Sequence, residues 1–141
     1  MATEGLREKS RAIALIAHEG QFRKMGEDKG KPYIIHPDRV AARFQGSDIL
    51  AAIGQLHDVI EDAPVTAEDL LEQGIPGSVV DAVVALTKKL DENYLDAILR
   101  VKENALARQV KMADLEDNMQ GLDEGSLKDK YRLALHILKN S

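Results

Sequence analysis

Residues 48–62 read DILAAIGQLHDVIED, and the spacing of their apolar side chains decides the fold class. These side chains recur at intervals of three and four residues, as they do on one face of an α-helix: Ile49, Ile53, Leu56 and Ile60. The same period continues through most of the chain, and no segment alternates polar and apolar residues for long enough to predict a β-strand. The sequence therefore predicts an all-α fold, in which residues 1–141 form a single compact domain of about seven or eight helices.

The composition is that of a folded, acidic chain without cysteine. Hydrophobic residues make up 44% of the 141 residues and aromatic residues only 4%, which predicts a core of aliphatic side chains. The lack of cysteine excludes disulfides, thiolate metal sites and a cysteine nucleophile, and it suits the reducing cytoplasm, where we expect the protein to reside. The net charge of −5 argues against general nucleic-acid binding, and no apolar run approaches the ~18 residues of a membrane span.

The end of the quoted stretch, HDVIED at 57–62, places four ionisable side chains on an otherwise apolar helix. His57 and Glu61 are four residues apart, as are Asp58 and Asp62, so each pair lies on one helix face. Burying these groups is costly unless a cation neutralises them, and carboxylates with neutral imidazole are ordinary ligands of divalent ions. The alternative is a charged, solvated helix end, and this stretch alone does not decide between the two.

Two further candidate ligands stand elsewhere in the chain. His36 directly precedes Pro37, which predicts a helix start, so the imidazole can point into a cleft rather than along a helix surface. Asp114 follows Ala113 on a partly apolar helix face and stacks on Asn118 four residues later. Each candidate also has an ordinary alternative, namely a packing histidine at a helix start and an acid at the protein surface.

Taken together and in order, these segments resemble the HD-domain phosphohydrolases, and specifically the alarmone (ppGpp) hydrolases. That group contains the hydrolase half of the bifunctional Rel-type enzymes and their small stand-alone relatives. The resemblance runs from about residue 9 to about residue 119, and several ordered blocks are more specific than any one of them. The matching strings are AHEGQFRK (17–24), PYIIHP (32–37), LHDVIED (56–62), VTAEDL (65–70), ALTK (85–88) and VKMADL (110–115), followed by NM (118–119).

The resemblance implies a metal-dependent hydrolase. It assigns four metal ligands, with manganese as the usual ion in the family: His36, His57, Asp58 and Asp114. Two imidazoles and two carboxylates also form a mixed donor set that leaves positions open for water and a phosphate oxygen. The resemblance further assigns Glu61 and Asp62 as the acidic pair beside the metal. We favour Glu61 as the base that orients the water, with Asp62 in support.

The resemblance also implies a nucleotide-binding cleft. Arg23 and Lys24 match the family's basic pair, which meets the nucleotide, and Asn118 matches a position near the ribose and the phosphates. A planar guanidinium suits phosphate binding or base stacking better than an ammonium does. The alternatives are a solvated basic loop for the pair and an ordinary helix-end residue for Asn118.

Some segments depart from the Rel-type pattern. Residues 25–31 (MGEDKGK) replace a tight turn, as in the small stand-alone relatives, and Gly121 stands where a hydroxyl residue is usual. We expect neither a synthetase domain nor the additional helices that complete the nucleotide pocket in larger members. These departures leave the identity of the base open.

The predicted activity is removal of the 3′-pyrophosphate of guanosine tetra- or pentaphosphate, which gives GDP or GTP and pyrophosphate. One alternative is a hydrolase of the same fold that acts on an adenine alarmone or a deoxynucleotide. Another is a regulatory module that binds a nucleotide with little turnover. We expect a small-molecule nucleotide partner and no nucleic-acid or membrane partner, and the sequence leaves the oligomeric state open.

Overall fold

The computed structural model describes residues 5–140, and every regular element in that range is a helix. The all-α fold class is thus confirmed, while residues 1–4 and 141 of the predicted domain lie outside the described range. The only strand-like pairing within residues 5–140 is an isolated antiparallel bridge between Phe22 and Pro32. The helices are α1 (Leu6–Ala17), α2 (Ile35–Ala42), α3 (Asp48–Leu56), α4 (Val59–Asp62), α5 (Ala67–Glu72), α6 (Gly77–Leu86), α7 (Tyr94–Lys102), α8 (Ala105–Asn118) and α9 (Ser126–Lys139).

The helix predicted over residues 48–62 is broken into α3 and α4 by a turn at His57 and Asp58. In a continuous helix the carbonyl of Gly54 accepts the amide hydrogen of Asp58. Here the ring of His57 donates to that carbonyl instead, with Nδ1 and the oxygen 2.6 Å apart, and Asp58 leaves ideal helical geometry at φ −107°, ψ 0°. The break adds one short helix to the expected number. It also turns the side chains of His57 and Asp58 towards the same point.

Helix α3 is the central element of the core, because it packs against α1, α2, α6 and α8. Its residues Ala52, Ile53 and Leu56 are completely buried, and the surrounding core consists of leucine, isoleucine, valine and alanine, as the composition predicts. The crossing of α2 over α3 is close at Gly54, where an added Cβ would lie 3.1 Å from the Cα atom of Ala41. This close approach holds the last turn of α2 against the last turn of α3. The start of α2 also lies near the end of α3, where His36 Nε2 is 3.2 Å from His57 Nε2. No helix among the described residues is both long and apolar enough to cross a bilayer.

Candidate metal centre and adjoining clefts

Four side chains from distant parts of the sequence converge at one buried point. His36 comes from the first turn of α2, His57 and Asp58 from the turn between α3 and α4, and Asp114 from the C-terminal half of α8. Donor atoms of His36, His57 and Asp114 lie within 4.8 Å of one another, and all three residues are buried. The structure thus brings together the four residues that the sequence predicted as ligands.

Short distances join the donor atoms of this cluster. His36 Nε2 lies 2.8 Å from Asp114 Oδ1 and 3.2 Å from His57 Nε2. Asp58 Oδ2 lies 3.0 Å from His57 Nε2 and 3.9 Å from His36 Nε2. Ligand atoms that bind one ion at about 2.1 Å stand about 3 Å from their neighbours, so the set fits a single divalent ion.

In each imidazole, the hydrogen-bond partner of Nδ1 determines that Nε2 faces the cluster. His57 Nδ1 meets the carbonyl of Gly54, which can only accept a hydrogen, and His36 Nδ1 lies 2.6 Å from the carboxylate of Asp117. Both Nδ1 atoms therefore donate, and each neutral ring presents the lone pair of Nε2 to the centre. Two imidazole lone pairs and two carboxylates then face one another, which is an arrangement that could hold a cation.

The electrostatics of the cluster also favour a cation. Burial alone would lower the pKa of His57, but Asp58 and Asp114 raise it well above its usual value. Burial would raise the pKa of Asp114, but the charges of Lys111 and His57 hold it well below its usual range. The cluster therefore attracts positive charge. Two imidazole nitrogens and carboxylate oxygens are a donor set that divalent ions accept.

A shell of hydrogen bonds orients the four side chains, and sequence reasoning missed most of it. Tyr33 donates its hydroxyl to Asp58 Oδ2 at 2.5 Å, and Lys111 donates to Asp114 Oδ2 at 2.9 Å. Asp117, which accepts from His36, also accepts two hydrogen bonds from Arg39, at 2.7 and 3.1 Å. Of these residues, only Lys111 stands three positions from the ligand that it contacts, Asp114, so helical spacing could have found that pair alone.

A large cleft of about 710 Å³ adjoins the centre and gathers the predicted nucleotide-binding residues. Its walls include Arg23, Lys24, Asp62 and Asn118, together with apolar and aromatic side chains (Phe22, Met25, Tyr33, Leu122, Leu127 and Tyr131). Arg23 donates to Asn118 Oδ1 at 2.9 Å, and its guanidinium carbon lies 5.6 Å from the centroid of the Tyr33 ring. Asn118 in turn donates to Asp114 Oδ1 at 3.0 Å, so the cleft wall touches the candidate metal centre.

A second cleft, of about 200 Å³, is lined by His57, Asp58 and Asp114 themselves. Glu61 opens onto this cleft, where its Oε1 accepts the amide hydrogen of Lys88 at 3.0 Å. The neighbouring acid Asp62 lines the larger cleft instead, and burial, followed by the charges of Asp58 and Glu61, raises its pKa to about 6. The two acids that the sequence treated as one pair therefore border different clefts.

Comparisons with known proteins identify relatives of the chain. No protein-family profile matches the chain. The guanosine-3′,5′-bis(diphosphate) 3′-pyrophosphohydrolase of Haemophilus influenzae is 39% identical over 138 aligned residues, which cover 85% of this chain and 19% of that protein. The bifunctional (p)ppGpp synthase/hydrolase SpoT of Escherichia coli is 37% identical over 137 aligned residues, again 85% of this chain and 18% of that protein. The chain thus spans about a fifth of the length of the curated relatives it matches.

A solved structure shows the same fold. It belongs to a metazoan ortholog of SpoT that hydrolyzes ppGpp, and it superposes with a TM-score of 0.74 at 19% sequence identity. The superposition covers 100% of this chain and 89% of that chain. Similarity to curated relatives over most of the chain, together with the shared helical architecture, shows that the chain belongs to the SpoT/Rel family, as an HD-type helical domain.

Proposed function

We propose that the chain is a metal-dependent phosphohydrolase that uses water to remove the 3′-pyrophosphate of guanosine tetra- or pentaphosphate. The products are GDP or GTP and pyrophosphate. One observation carries the proposal: two buried imidazoles and the carboxylate of Asp114 meet at one point, the carboxylate of Asp58 lies beside them, and two clefts lined by cationic side chains adjoin them. The names of the curated relatives supply the substrate class, since they describe hydrolysis of this nucleotide.

The four proposed ligands are His36, His57, Asp58 and Asp114, and Mn²⁺ is the proposed ion. A divalent ion held there lowers the pKa of bound water and offsets negative charge on phosphate oxygens. The buried hydrogen bonds that fix each imidazole and carboxylate keep the donor atoms in place before the ion arrives, which limits the entropic cost of binding.

Glu61 is proposed as the residue that orients the water. Its carboxylate borders the same small cleft as three of the proposed ligands, and the amide of Lys88 holds one of its oxygens. Lys88, Arg100 and Lys111 also line this cleft and supply positive charge for phosphate oxygens. Asp62 supports the reaction from the side of the larger cleft, where it lies among the residues proposed to bind the nucleotide.

The larger cleft is proposed to hold the nucleoside. Its volume of about 710 Å³ lies within the range of small-molecule sites. Arg23 and Lys24 supply charge for phosphates, and Tyr131 supplies an aromatic face for a base. The Nε atom of Arg23 is buried without a hydrogen-bond partner among the described residues, so the guanidinium retains a donor for a ligand oxygen.

The test is release of pyrophosphate from ppGpp by the purified, Mn²⁺-loaded protein. His57→Ala and Asp114→Ala are expected to abolish it, while His136→Ala, which removes an exposed imidazole on α9, leaves the rate unchanged. A panel with an adenine alarmone and deoxynucleotides tests the substrate. Turnover of one of those without turnover of ppGpp would refute the substrate, and tight nucleotide binding without turnover under any divalent ion would refute an enzyme.

A further inference from the structure

Residues 23–31, here called the 23–31 loop, form a closed loop whose two ends are tied to each other. The amide of Arg23 donates to the carbonyl of Lys31 at 2.8 Å, and the amide of Gly30 donates to the carbonyl of Arg23 at 2.9 Å. The loop also packs on the turn after α8, where the amide of Glu27 donates to the carbonyl of Gln120 at 3.2 Å. Its shape is therefore fixed from both sides, although it contains no regular element.

The middle of the loop reaches the metal centre through ion pairs. Asp28 is 6% exposed and forms an ion pair with Arg39, whose guanidinium also holds both oxygens of Asp117. Asp117 accepts the hydrogen of His36 Nδ1 at 2.6 Å. A continuous series of charged hydrogen bonds thus runs from the loop to the imidazole of a proposed ligand, and each member is oriented by the one before it.

The base of the loop reaches the same centre by a second route. The side chain of Arg23 donates to Asn118 Oδ1 at 2.9 Å, and Asn118 Nδ2 donates to Asp114 Oδ1 at 3.0 Å. One loop is therefore linked to two proposed ligands: to Asp114 through Asn118, and to His36 through Arg39 and Asp117.

We propose that the 23–31 loop is a positioning element of the metal centre, with Asp28 setting the orientation of His36 through Arg39 and Asp117. This inference rests on the metal site of the proposed function and goes beyond it, because it places one determinant of metal affinity in a loop that also lines the large cleft. Arg23, Lys24 and Met25 belong to the wall of that cleft.

The experiment measures Co²⁺ and Mn²⁺ affinity of the metal-free protein by calorimetry, with the visible spectrum of bound Co²⁺ as a reporter of ligand geometry. Asp117→Asn is expected to weaken binding by about 10- to 100-fold, as loss of a partner of a metal-bound histidine does. Asp28→Asn and Arg39→Lys are expected to weaken it about three- to tenfold and to alter the Co²⁺ spectrum. Arg39→Lys is informative because it keeps the positive charge but removes the planar guanidinium, which binds the carboxylates of Asp28 and Asp117 at the same time.

Two controls separate positioning from a general loss of charge or stability. Asp123→Asn makes the same chemical change at an exposed position outside the loop and is expected to bind both ions as the wild type does. In the double variant, Asp28→Asn is expected to add no further loss to Asp117→Asn, since both act on the same imidazole. Wild-type affinity in both Asp28→Asn and Arg39→Lys, or full additivity in the double variant, would overturn the role of the loop. A wild-type protein that binds neither ion would instead overturn the metal site, and the role of the loop with it.

Discussion

Gly54, at the crossing of α2 and α3, allows a quantitative test of the geometry that builds the centre. An added Cβ would lie 3.1 Å from both the N and Cα atoms of Ala41 and 3.2 Å from a methyl carbon of Val40. Favourable carbon contacts begin near about 3.5 Å, so the change to alanine creates three overlaps, two of them with backbone that cannot rotate away. Relief requires α2 to move away from α3 by several tenths of an ångström.

The expected net effect of Gly54→Ala follows from two opposing terms. Overpacking costs about 1–3 kcal/mol, whereas replacing glycine by alanine within a helix gains about 1 kcal/mol. Gly77→Ala at the start of α6 is the matched control, because nothing lies within 4 Å of its added Cβ. We expect Gly54→Ala to be about 1–3 kcal/mol less stable than this control, and each kcal/mol corresponds to roughly 4 °C in Tm for a chain of this size.

Two measurements check this prediction. Urea unfolding in the presence of a chelator gives the stability of the metal-free fold, free of any contribution from bound ion. Mn²⁺ titration of the folded variants then reports on the site, since α2 carries His36 and its displacement is expected to weaken binding in Gly54→Ala alone. If Gly54→Ala is as stable as Gly77→Ala and binds Mn²⁺ equally well, the close crossing does not determine the site.

Three further predictions concern the proposed ion, the Tyr33 hydroxyl that orients a proposed ligand, and the ion pair between Glu92 and Arg100. Chelation is expected to lower the Tm, and Mn²⁺ at 100 times its Kd is expected to restore about 2.7 kcal/mol; an unchanged Tm in thermal scans would contradict the metal site. Tyr33→Phe removes the donor to Asp58 and should weaken Mn²⁺ binding about tenfold by calorimetry, whereas Tyr94→Phe, whose hydroxyl is buried without a partner among the described residues, should not. Glu92→Gln removes a carboxyl whose pKa is lowered from 4.5 to about 2 by hydrogen bonds, first of all from Arg100. A lowered folded-state pKa stabilises the protein above the unfolded value, so Glu92→Gln should be less stable than wild type at pH 7, and urea unfolding should show this difference shrinking as the pH falls below about 4.5.

The periodicity of apolar residues was sufficient for the helical class and the aliphatic core, because burial of one helix face is a local property of the sequence. It could not reveal the break at His57, since Ile60 remains in phase with the preceding helix and only the hydrogen bond from the ring to Gly54 shows the turn. The sequence could have predicted that Glu61 and Asp62 border different clefts, because consecutive residues of a helix point about 100° apart.

The convergence of the four candidate ligands was predicted through resemblance rather than from their spacing. Their supporting partners were not predicted, because the pairs form between segments far apart in the chain. Asp117 is 81 residues from His36 and 78 residues from Arg39, and nothing local to either segment indicates that they meet. Asp28 lies within the segment that departs from the Rel-type pattern, so the resemblance gave no role for it.

The turn at His57 and Asp58 offers two donors from consecutive residues. The trans peptide between them holds their Cα atoms about 3.8 Å apart. Such a pair would form a chelate with the proposed ion: once one donor is engaged, the other is already within reach, so little additional entropy is lost. The chelate is continuous with α3, whose buried residues lie at the centre of the molecule. The amides of α3 should accordingly be among the slowest to exchange with solvent, and the ion should stay bound through fluctuations that loosen the outer helices.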